Sequence, residues 1–390
     1  MSDYNINMHF SLPEISVDVL IIGSGPAGLS TALHLLMLNQ TWADRMLVLE
    51  KEAHPRPKLC GGGITRLGLN TLRDLGFSLP LPLPHVSIHD VTLRYGSKTI
   101  HVKGNPQIII YHRPLFDQYL ADQSRQRGIT LHENEIAQQI ILDDNEILVT
   151  TTKAIYHTKV LVGADGSNGL SRRLIRSPQS FPRVSRTVEF LQPTDGNNLL
   201  FSHHRASFDF SVLSKYTQGY IWDFPTLVNS QAHLNRGVYD ARVDPLSPRS
   251  NLPNLLKQVY SQSVPSATMT MHGYPIHWFS PFNKFSTKHA LLVGDGAGAD
   301  PLFGEGIAPA LAYGGVAART IAQAFETQDF SFHNYRQNLF TSYLGRYLLI
   351  RWMAAQVVYR LGKFNGFSNL LWMVGNGLAH LFPPPPPLPE

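Results

Sequence analysis

The apolar positions near the start of the chain follow the spacing of a strand, then of a helix, then of a second strand. Residues 17–22, VDVLII, are rich in β-branched side chains and predict a buried strand. Apolar residues recur with helical spacing in LSTALHLLMLN at 29–39, and RMLVLE at 45–50 predicts another strand. The pattern predicts a β–α–β unit, with the glycine-rich sequence GSGPAG between its first strand and its helix.

Two further patterns follow the first unit. Residues 89–103, HDVTLRYGSKTIHVK, alternate like an antiparallel hairpin that turns at Tyr95-Gly96. Residues 112–128, HRPLFDQYLADQSRQRG, predict a helix with Pro114 in its first turn and Gly128 just past its end. Between the first unit and the hairpin, the sequence PLPLP breaks regular structure and indicates that the chain leaves one domain for another.

The second half of the chain is strand-rich and then helical. Strand-like segments dominate from about residue 181 to 275, among them RTVEFLQ and GYIWDFP. KHALLVGDGAG at 288–298 then predicts a buried strand, and a long Ala/Gly-rich helix follows at about 305–326. We expect segments 159–167 and 288–298 to join the first unit, since each is a buried strand that runs into a Gly-Asp turn.

These elements predict an α/β protein with a Rossmann-like dinucleotide-binding domain, an inserted antiparallel or mixed β-sheet domain for the substrate, and a C-terminal helical segment. At 390 residues the chain is long enough for two or three domains. The predicted parts are the dinucleotide-binding domain at 15–75, 105–180 and 283–326, the sheet domain at 76–104 and 181–282, a helical region at 327–382, and a proline-rich tail at 383–390.

The sequence Gly23-Ser24-Gly25-Pro26-Ala27-Gly28 has the spacing of a dinucleotide fingerprint, in the required place between a strand and a helix. Gly23 permits the tight turn, Gly25 lets a pyrophosphate approach the backbone, and Gly28 allows the helix to pack closely on the strand. Glu50 ends the second predicted strand, 22 positions after Gly28, where a carboxylate would accept ribose hydroxyls.

The sequence ALLVGDGAGADPLFGEGIAPALAYG at 290–314 resembles the flavoprotein superfamily of aromatic hydroxylases, in which a late Gly-Asp binds the ribityl chain of FAD. Gly163-Ala164-Asp165-Gly166 resembles the middle Asp-Gly motif of that superfamily, and Arg113 matches an arginine that contacts the cofactor. The predicted cofactor residues are Gly23, Gly25, Pro26, Ala27, Gly28, Glu50, Lys51, Cys60, Gly61, Gly62, Arg113, Asp165, Gly294, Asp295, Gly304, Gly306 and Ile307.

Three more specific motifs resemble the geranylgeranyl reductase family within that superfamily: KLCGGGI at 58–64, GYIWDFP at 219–225 and PLFGEGI at 301–307. The resemblance covers about residues 15–326 and implies reduction of C=C bonds in an isoprenoid chain, with hydride from N5 of reduced FAD and a proton. It implies NADPH or reduced ferredoxin as the electron donor and a prenyl lipid as the substrate. The predicted catalytic residues are Cys60 and Tyr220, and the predicted substrate-binding residues are Tyr220, Trp222, Phe224 and Pro225.

Other functions and roles are compatible with the same residues. GYIWDFP loosely resembles a halogenase motif, so a flavin monooxygenase or halogenase is one alternative, and a flavin-bound prenyl-lipid carrier without turnover is another. Cys60 is the single cysteine of the chain, and it is either a proton donor or a buried residue chosen for its size. Tyr220 and Trp222 either line a prenyl tunnel or are core aromatics.

Charge is concentrated near the C-terminal end of the chain. After Asp329 there are five basic residues and one acidic residue, which is +4 of the net charge of +5. Aromatic and basic residues at 334–382 predict a helical pair on a membrane surface, a cover over the substrate, or packing on the flavin domain. We expect a cytoplasmic protein, peripheral on a membrane, that has no secretory signal, metal site or nucleic-acid partner.

Overall fold

The computed structural model describes residues 12–176, 184–215, 217–265, 269–364 and 366–373. Its strands, numbered along the chain, are β1 (Glu14–Ile22), β2 (Met46–Leu49), β3 (Gly63–Thr65), β4 (His85–Tyr95), β5 (Lys98–Tyr111), β6 (Thr130–His132), β7 (Ala137–Leu142), β8 (Ile147–Thr151), β9 (Ile155–Gly163), β10 (Val184–Pro193), β11 (Arg205–Asp209), β12 (Gly219–Val228), β13 (Gln231–Asp240), β14 (His272–His277), β15 (Ser286–Thr287) and β16 (Ala290–Leu292). Its α-helices are α1 (Pro26–Leu38), α2 (Arg66–Asp74), α3 (Arg113–Gln126), α4 (Leu170–Ile175), α5 (Leu199–Ser202), α6 (Leu252–Tyr260), α7 (Gly294–Ala297), α8 (Ile307–Thr327), α9 (Tyr335–Thr341) and α10 (Tyr343–Leu361).

The first sheet has the strand order β15-β16-β9-β1-β2-β6, with β7 and β8 attached beside β9. Its strands β16, β9, β1, β2 and β6 are parallel to one another. Helices α1 and α8 cover it and pack closely, since the Ser30 hydroxyl donates to the Leu311 carbonyl at 2.6 Å. The β–α–β unit predicted from the first fifty or so residues is present.

The second sheet has the order β14-β10-β13-β12-β11-β4-β5-β3. It is antiparallel except where β11 runs parallel to β4, so it is the mixed sheet that the pattern predicts. Residues 63–65 and 108–111, which the sequence-based boundaries assign to the dinucleotide-binding domain, pair in this sheet. The predicted α/β fold class is confirmed. The strands of the two sheets alternate along the chain, so neither sheet is built from one continuous segment.

Local signals in the sequence fix several elements closely. The hairpin of β4 and β5 closes at the pair Tyr95↔Lys98, as the alternating pattern around Tyr95-Gly96 predicts. Helix α3 begins at Arg113 with Pro114 in its first turn, where a missing backbone N–H costs nothing, and ends before Gly128 at a φ of 90°. Helix α8 begins at Ile307 rather than at residue 305, because Gly306 is its N-cap.

The helices near the C-terminal end pack on the rest of the protein along one face. Arg351 on α10 pairs with Asp300 at 2.6 Å, and the Tyr359 hydroxyl donates to the Leu302 carbonyl. Of the three alternatives for this region, packing against the flavin-binding part therefore holds for α10. Residues 374–382 and the proline-rich tail lie outside the described residues. No helix in the described parts of the chain combines the length and the apolar character needed to cross a membrane.

Candidate active site

Four strands of the first sheet end in one row. Ile22 pairs with Leu49 on one side and with Gly163 on the other, and Gly163 pairs with Leu292. Because these strands are parallel, the residues that follow them emerge at the same edge of the sheet. The fingerprint loop, Glu50, the middle Asp-Gly loop and the late Gly-Asp loop are therefore neighbours, as a single dinucleotide site requires.

The three fingerprint glycines differ in what surrounds them. A Cβ at Gly23, where φ is 107°, would lie 2.4 Å from the Ala164 carbonyl oxygen, and one at Gly28 would lie 1.9 Å from the Gly23 carbonyl oxygen. At Gly25 the nearest atom outside the adjacent residues would be Nη2 of Arg56, at 3.7 Å, an ordinary contact distance. Gly23 and Gly28 thus serve the turn and the packing, and Gly25 borders free space at the N-terminus of α1.

Glu50 lies directly beside the fingerprint loop and is buried. Its Oε2 accepts hydrogen bonds from the backbone N–H and the hydroxyl of Ser24, at 3.1 and 2.8 Å. The Ser24 hydroxyl also lies 2.7 Å from Nε2 of His54, whose pKa is lowered by burial and by nearby Arg56. Lys51 is not brought to this group, because its exposed side chain pairs with Glu52 at 3.1 Å.

Arg56 is a part of this edge that the sequence analysis missed. Its side chain is 12% exposed, its Nε lies 3.3 Å from Glu50 Oε2, and its Nη2 lies 3.6 Å from Asp117 Oδ2. A guanidinium beside the open side of Gly25 would neutralise a phosphate there and donate hydrogen bonds to it. The only signal in the sequence is an arginine between two prolines in HPRPK, which has no motif of its own.

The middle Asp-Gly motif forms a turn against the fingerprint. Asp165 Oδ2 accepts a hydrogen bond from the Ser171 backbone N–H at 2.9 Å, near the start of α4. Its Oδ1 is buried and has no hydrogen-bond partner among the described residues, and burial raises the pKa of this carboxyl against the effect of Ser171. Asp165 therefore holds a structural turn and leaves one acceptor oxygen for another donor.

The late Gly-Asp loop joins the fingerprint helix to the start of α8. A Cβ at Gly294, where φ is 57°, would lie 2.8 Å from the Cβ of Ala27 on α1. Asp295 Oδ1 lies 3.3 Å from the position that a Cβ at Gly306 would take. The half-buried Asp295 carboxylate thus lies between the two helix N-termini, where sugar-like hydroxyls of a cofactor would find an acceptor.

The loop that carries Cys60 lies on the second sheet. A Cβ at Gly61 would lie 2.8 Å from the Phe224 ring, and one at Gly62, where φ is 74°, would lie 2.1 Å from the Tyr111 carbonyl oxygen. The Gly62 backbone N–H donates to Cys60 Sγ at 3.4 Å. The glycines are therefore required for the loop to reach the aromatic face of β12, and Cys60 is half-buried in that loop.

Arg113 holds this loop from the first residue of α3. It is buried and donates two hydrogen bonds of 2.9 Å to the carboxylate of Asp117, one turn along the helix. Cys60 lies close enough to raise the pKa of this guanidinium together with Asp117. Arg113 is thus held by its ion pair with Asp117 near the Cys60 loop, and its predicted contact with the cofactor stays a prediction.

The aromatic residues of β12 lie where the pattern predicts, with one exception. Tyr220, Trp222 and Phe224 belong to one buried cluster, and the Tyr220 hydroxyl donates to the Phe303 carbonyl. Burial raises the pKa of Tyr220 well above its ordinary value, which makes its hydroxyl a weaker acid. Pro225 follows Phe224 on the strand, so it faces the opposite side of the sheet and not the aromatic face assigned to the substrate.

Glu305 is a second residue that the sequence analysis missed. Its buried carboxylate accepts hydrogen bonds from the hydroxyls of Thr65 and Tyr347, and burial raises its pKa although Arg351 lies near. These contacts tie α10 to the loop before α8. Within the described ranges, no cluster of three or more His, Cys, Asp or Glu residues could hold a metal ion.

The residues at this edge fit FAD. The open side of Gly25 with Arg56 suits the diphosphate, Glu50 suits a ribose, and Asp295 suits the ribityl chain. The start of the 21-residue helix α8 at Ile307 would present its N-terminal backbone amides to the flavin. The Cys60 loop packs against the aromatic face of β12, at Phe224 and Trp222.

Comparison with known proteins agrees with this geometry. A family model described as "FAD binding domain" matches residues 16–210. The chain is 27% identical over 357 residues to an uncharacterized protein of Methanosarcina barkeri, covering 89% of this chain and 83% of that protein. It is 25% identical over 326 residues to a digeranylgeranylglycerophospholipid reductase of Methanocella arvoryzae, covering 80% of this chain and 79% of that protein.

A solved structure shares the fold over nearly the whole chain. It is a geranylgeranyl bacteriochlorophyll reductase-like protein of Thermoplasma acidophilum, with a TM-score of 0.71 and 19% identity over 90% of this chain and 92% of that chain. The family model spans the fingerprint, Glu50 and Asp165 at the edge of the first sheet, together with Cys60 and Arg113. The chain therefore belongs to the FAD binding domain family and is an FAD-dependent oxidoreductase related to the geranylgeranyl reductases.

Proposed function

We propose that the protein reduces C=C bonds of a geranylgeranyl or other isoprenoid chain. The observation that carries the proposal is the position of the Cys60 loop. This loop packs directly against the aromatic face of β12, and it follows the segment of Glu50 and Arg56 at the edge of the first sheet that fits FAD. That face is built from Tyr220, Trp222 and Phe224, with Phe208 packed against Phe224 at 5.1 Å between ring centroids. An apolar wall of this kind binds a hydrocarbon chain and excludes water.

When bound and reduced, FAD supplies the hydride for this reaction. The chain's own residues hold the wall that would position the substrate. Because Gly61 and Gly63 have no side chains, the ring of Phe224 packs directly on the loop backbone. Trp222 is held by the hydrogen bond that its Nε1–H donates to Asn235 Oδ1 at 2.6 Å. An isolated alkene does not stabilise negative charge, so close alignment of the two hydrogen donors is what this site must provide. The reductase name of the relative from Methanocella arvoryzae supports the same substrate class.

The experiment for this proposal follows the absorbance of FAD bound to the chemically reduced protein under argon. Addition of a geranylgeranyl lipid in detergent should restore the oxidised flavin spectrum, and the saturated phytanyl analogue should not. Reoxidation by both lipids, or by neither, would exclude the alkene as the electron acceptor. We propose NADPH or reduced ferredoxin as the physiological electron donor, to be tested by adding each to the oxidised protein in the same cuvette.

Cys60→Ser should keep FAD but slow the reduction. Its Sγ accepts from the Gly62 backbone N–H and contacts Arg113, so a smaller atom there changes the loop that faces the substrate. We expect turnover to fall about tenfold, equal to about 1.4 kcal/mol in the barrier. Steady-state rates and FAD content of Cys60→Ser and Cys60→Ala are the measurement. Wild-type rates for both variants would show that Cys60 only fills space.

We also propose that the protein docks on anionic membranes through α10. Tyr343, Ile350, Met353 and Val357 on this helix are 65%, 62%, 48% and 49% exposed, and they recur at intervals of seven, three and four residues along one stripe. Arg346 and Arg360 are exposed on the same helix. An apolar stripe flanked by positive charge suits the surface of an anionic bilayer, where the substrate of the proposed reaction dissolves.

Ile350→Glu should reduce binding to phosphatidylserine vesicles about tenfold, a loss of about 1.4 kcal/mol. The reason is that a carboxylate in the stripe must be dehydrated on docking and is repelled by the anionic surface. Vesicle co-sedimentation at low salt measures the effect. Leu246→Glu, at a leucine that is 93% exposed elsewhere on the protein, is the matched control and should bind like wild type. Equal binding by Ile350→Glu and wild type would contradict docking through α10.

A further inference from the structure

Glu189 is a buried acidic residue of the second sheet, one strand in from the edge strand β14. It lies on β10 and is 8% exposed. In the sheet register Glu189 is opposite Gly237, and Gly237 is opposite Trp222, so the three residues form one row on one face. The Trp222 ring occupies the space above Gly237, where a Cβ would lie 2.2 Å from the indole. Glu189 therefore belongs to the aromatic face assigned to the substrate.

The carboxyl of Glu189 is connected to both functional parts of that face. The Cys60 backbone N–H and the Asn235 side chain both act on it and favour its ionised form. The same Asn235 accepts a hydrogen bond from Trp222 Nε1 at 2.6 Å. The carboxyl thus lies in the row of Trp222 and close enough to the Cys60 loop for the backbone of that loop to influence it.

The charges around Glu189 come from several elements. Arg113 on α3 and Lys58 in the Cys60 loop both favour the ionised form, and His272 on β14 is its register partner on the other side. Burial outweighs these effects and raises the pKa of Glu189 to about 7. Near neutral pH, a carboxyl with such a pKa is protonated in a large fraction of the protein molecules and releases its proton readily.

The other acidic groups near the aromatic face are less suited to donating a proton. The Tyr220 hydroxyl is committed to the Phe303 carbonyl, and burial raises its pKa. Glu305 accepts hydrogen bonds from Thr65 and Tyr347 and serves to hold α10. A thiol such as Cys60 is a weak acid toward an isolated alkene.

We propose that the carboxyl of Glu189 is the proton donor of the reduction and acts from the row of the second sheet that contains Trp222. This inference rests on the proposed function. As one C–H bond forms with hydride from the reduced flavin, the π bond of the alkene breaks and its other carbon takes the proton from the Glu189 carboxyl. The flavin returns to its oxidised form, the carboxylate keeps the electron pair of its O–H bond, and water reprotonates it between turnovers.

The test compares Glu189→Gln, which keeps the shape and loses the proton, with Glu189→Asp, which keeps a titrating group. Glu135→Gln is the matched control, since Glu135 is equally buried but bonds Thr151 and Tyr156 beside the first sheet. Single turnovers of the FAD-loaded, chemically reduced proteins with a geranylgeranyl lipid are followed under argon from pH 5.5 to 8.5. The infrared carbonyl band of protonated carboxylic acid is titrated over the same range without substrate.

Wild type and Glu135→Gln should both show a carbonyl band that disappears with a midpoint near pH 7, with a turnover rate that falls across the same range. Glu189→Gln should lack that band and react about tenfold more slowly at pH 6, with no pH dependence, since water is a poorer donor. Glu189→Asp should regain a pH-dependent rate. Absence of a titrating band in wild type, or a wild-type rate and pH profile in Glu189→Gln, would overturn the proposal.

Failure of this proposal and failure of the proposed function give different results. Normal turnover of the lipid by Glu189→Gln would remove Glu189 as the donor and leave the reductase intact. A wild-type protein that binds FAD and shows the titrating band, but reduces no prenyl lipid, would remove the reductase and with it the role of Glu189.

Discussion

Gly25→Ala is expected to leave a folded protein that has lost most of its affinity for FAD. The new Cβ would meet Nη2 of Arg56 at 3.7 Å, an ordinary contact, and the backbone φ of −73° suits any residue. The methyl group would nevertheless fill the space in which a diphosphate approaches the N-terminus of α1. We expect the dissociation constant for FAD to rise about 100-fold, or about 2.8 kcal/mol, as measured by quenching of flavin fluorescence.

The matched control is Gly196→Ala, because a Cβ there would meet no atom of the described residues within 4 Å and the site lies in a loop of the sheet domain. Its FAD affinity and its thermal midpoint should equal those of wild type. The apoprotein of Gly25→Ala should also keep the wild-type midpoint. Unchanged FAD affinity in Gly25→Ala would show that the diphosphate does not lie at the fingerprint loop.

Arg113→Met is expected to destabilise the protein by about 3 kcal/mol, because it leaves a buried carboxylate without its main partner. Asp117 is 1% exposed, and it receives two hydrogen bonds of 2.9 Å from Arg113. Arg56, with Nη2 3.6 Å from Asp117, offsets part of the loss. Urea unfolding of the apoprotein measures the free energy, and the double variant Arg113→Met/Asp117→Leu should recover most of it.

Arg125→Met on the same helix is the control for that experiment. Arg125 pairs with Asp122 and Glu133, but its side chain is 36% exposed, so its removal should cost less than about 1 kcal/mol. Equal losses for Arg113→Met and Arg125→Met would mean that burial of the first ion pair adds nothing. In that case the main role of Arg113 would be its predicted contact with the cofactor and not stabilisation of the fold.

The parts of the site that local sequence specifies were predictable. Gly23 and Gly28 cannot carry a side chain in this turn, so the spacing of these glycines predicts the backbone conformation of the loop. The four neighbouring segments at one sheet edge follow from parallel strands, of which β1, β9 and β16 end close to a Gly-Asp or Gly-rich turn and β2 ends before Glu50. Helix α3 and the β4–β5 hairpin follow from their own capping and turn residues.

The parts that depend on distant contacts were not predictable in the same way. Glu189 occurs in RTVEFLQ, where alternation assigns it to the side opposite Val188 and Phe190, a position typical of a solvent-facing residue. Only the fold reveals that the Cys60 loop covers that side of the strand. Arg56 has the same character, since its importance comes from Gly25, Glu50 and Asp117, which three different segments supply.

The domain boundaries show a related difficulty. Strand β5 continues from the hairpin through the apolar residues 108–111, which the sequence pattern groups with the following helix. Strand β3 is three residues long and pairs with β5, so residues 63–65, which follow Cys60, belong to the second sheet. A pairing of this kind leaves no periodic signal in so short a segment.

The most direct test of the central proposal is mass spectrometry of a geranylgeranyl lipid incubated with the chemically reduced, FAD-loaded protein, first without oxygen and then in air. We predict products that gain one pair of hydrogen atoms for each double bond reduced, formed without oxygen. A product that gains an oxygen atom, seen only in air, would contradict the reductase and place the protein with the monooxygenases.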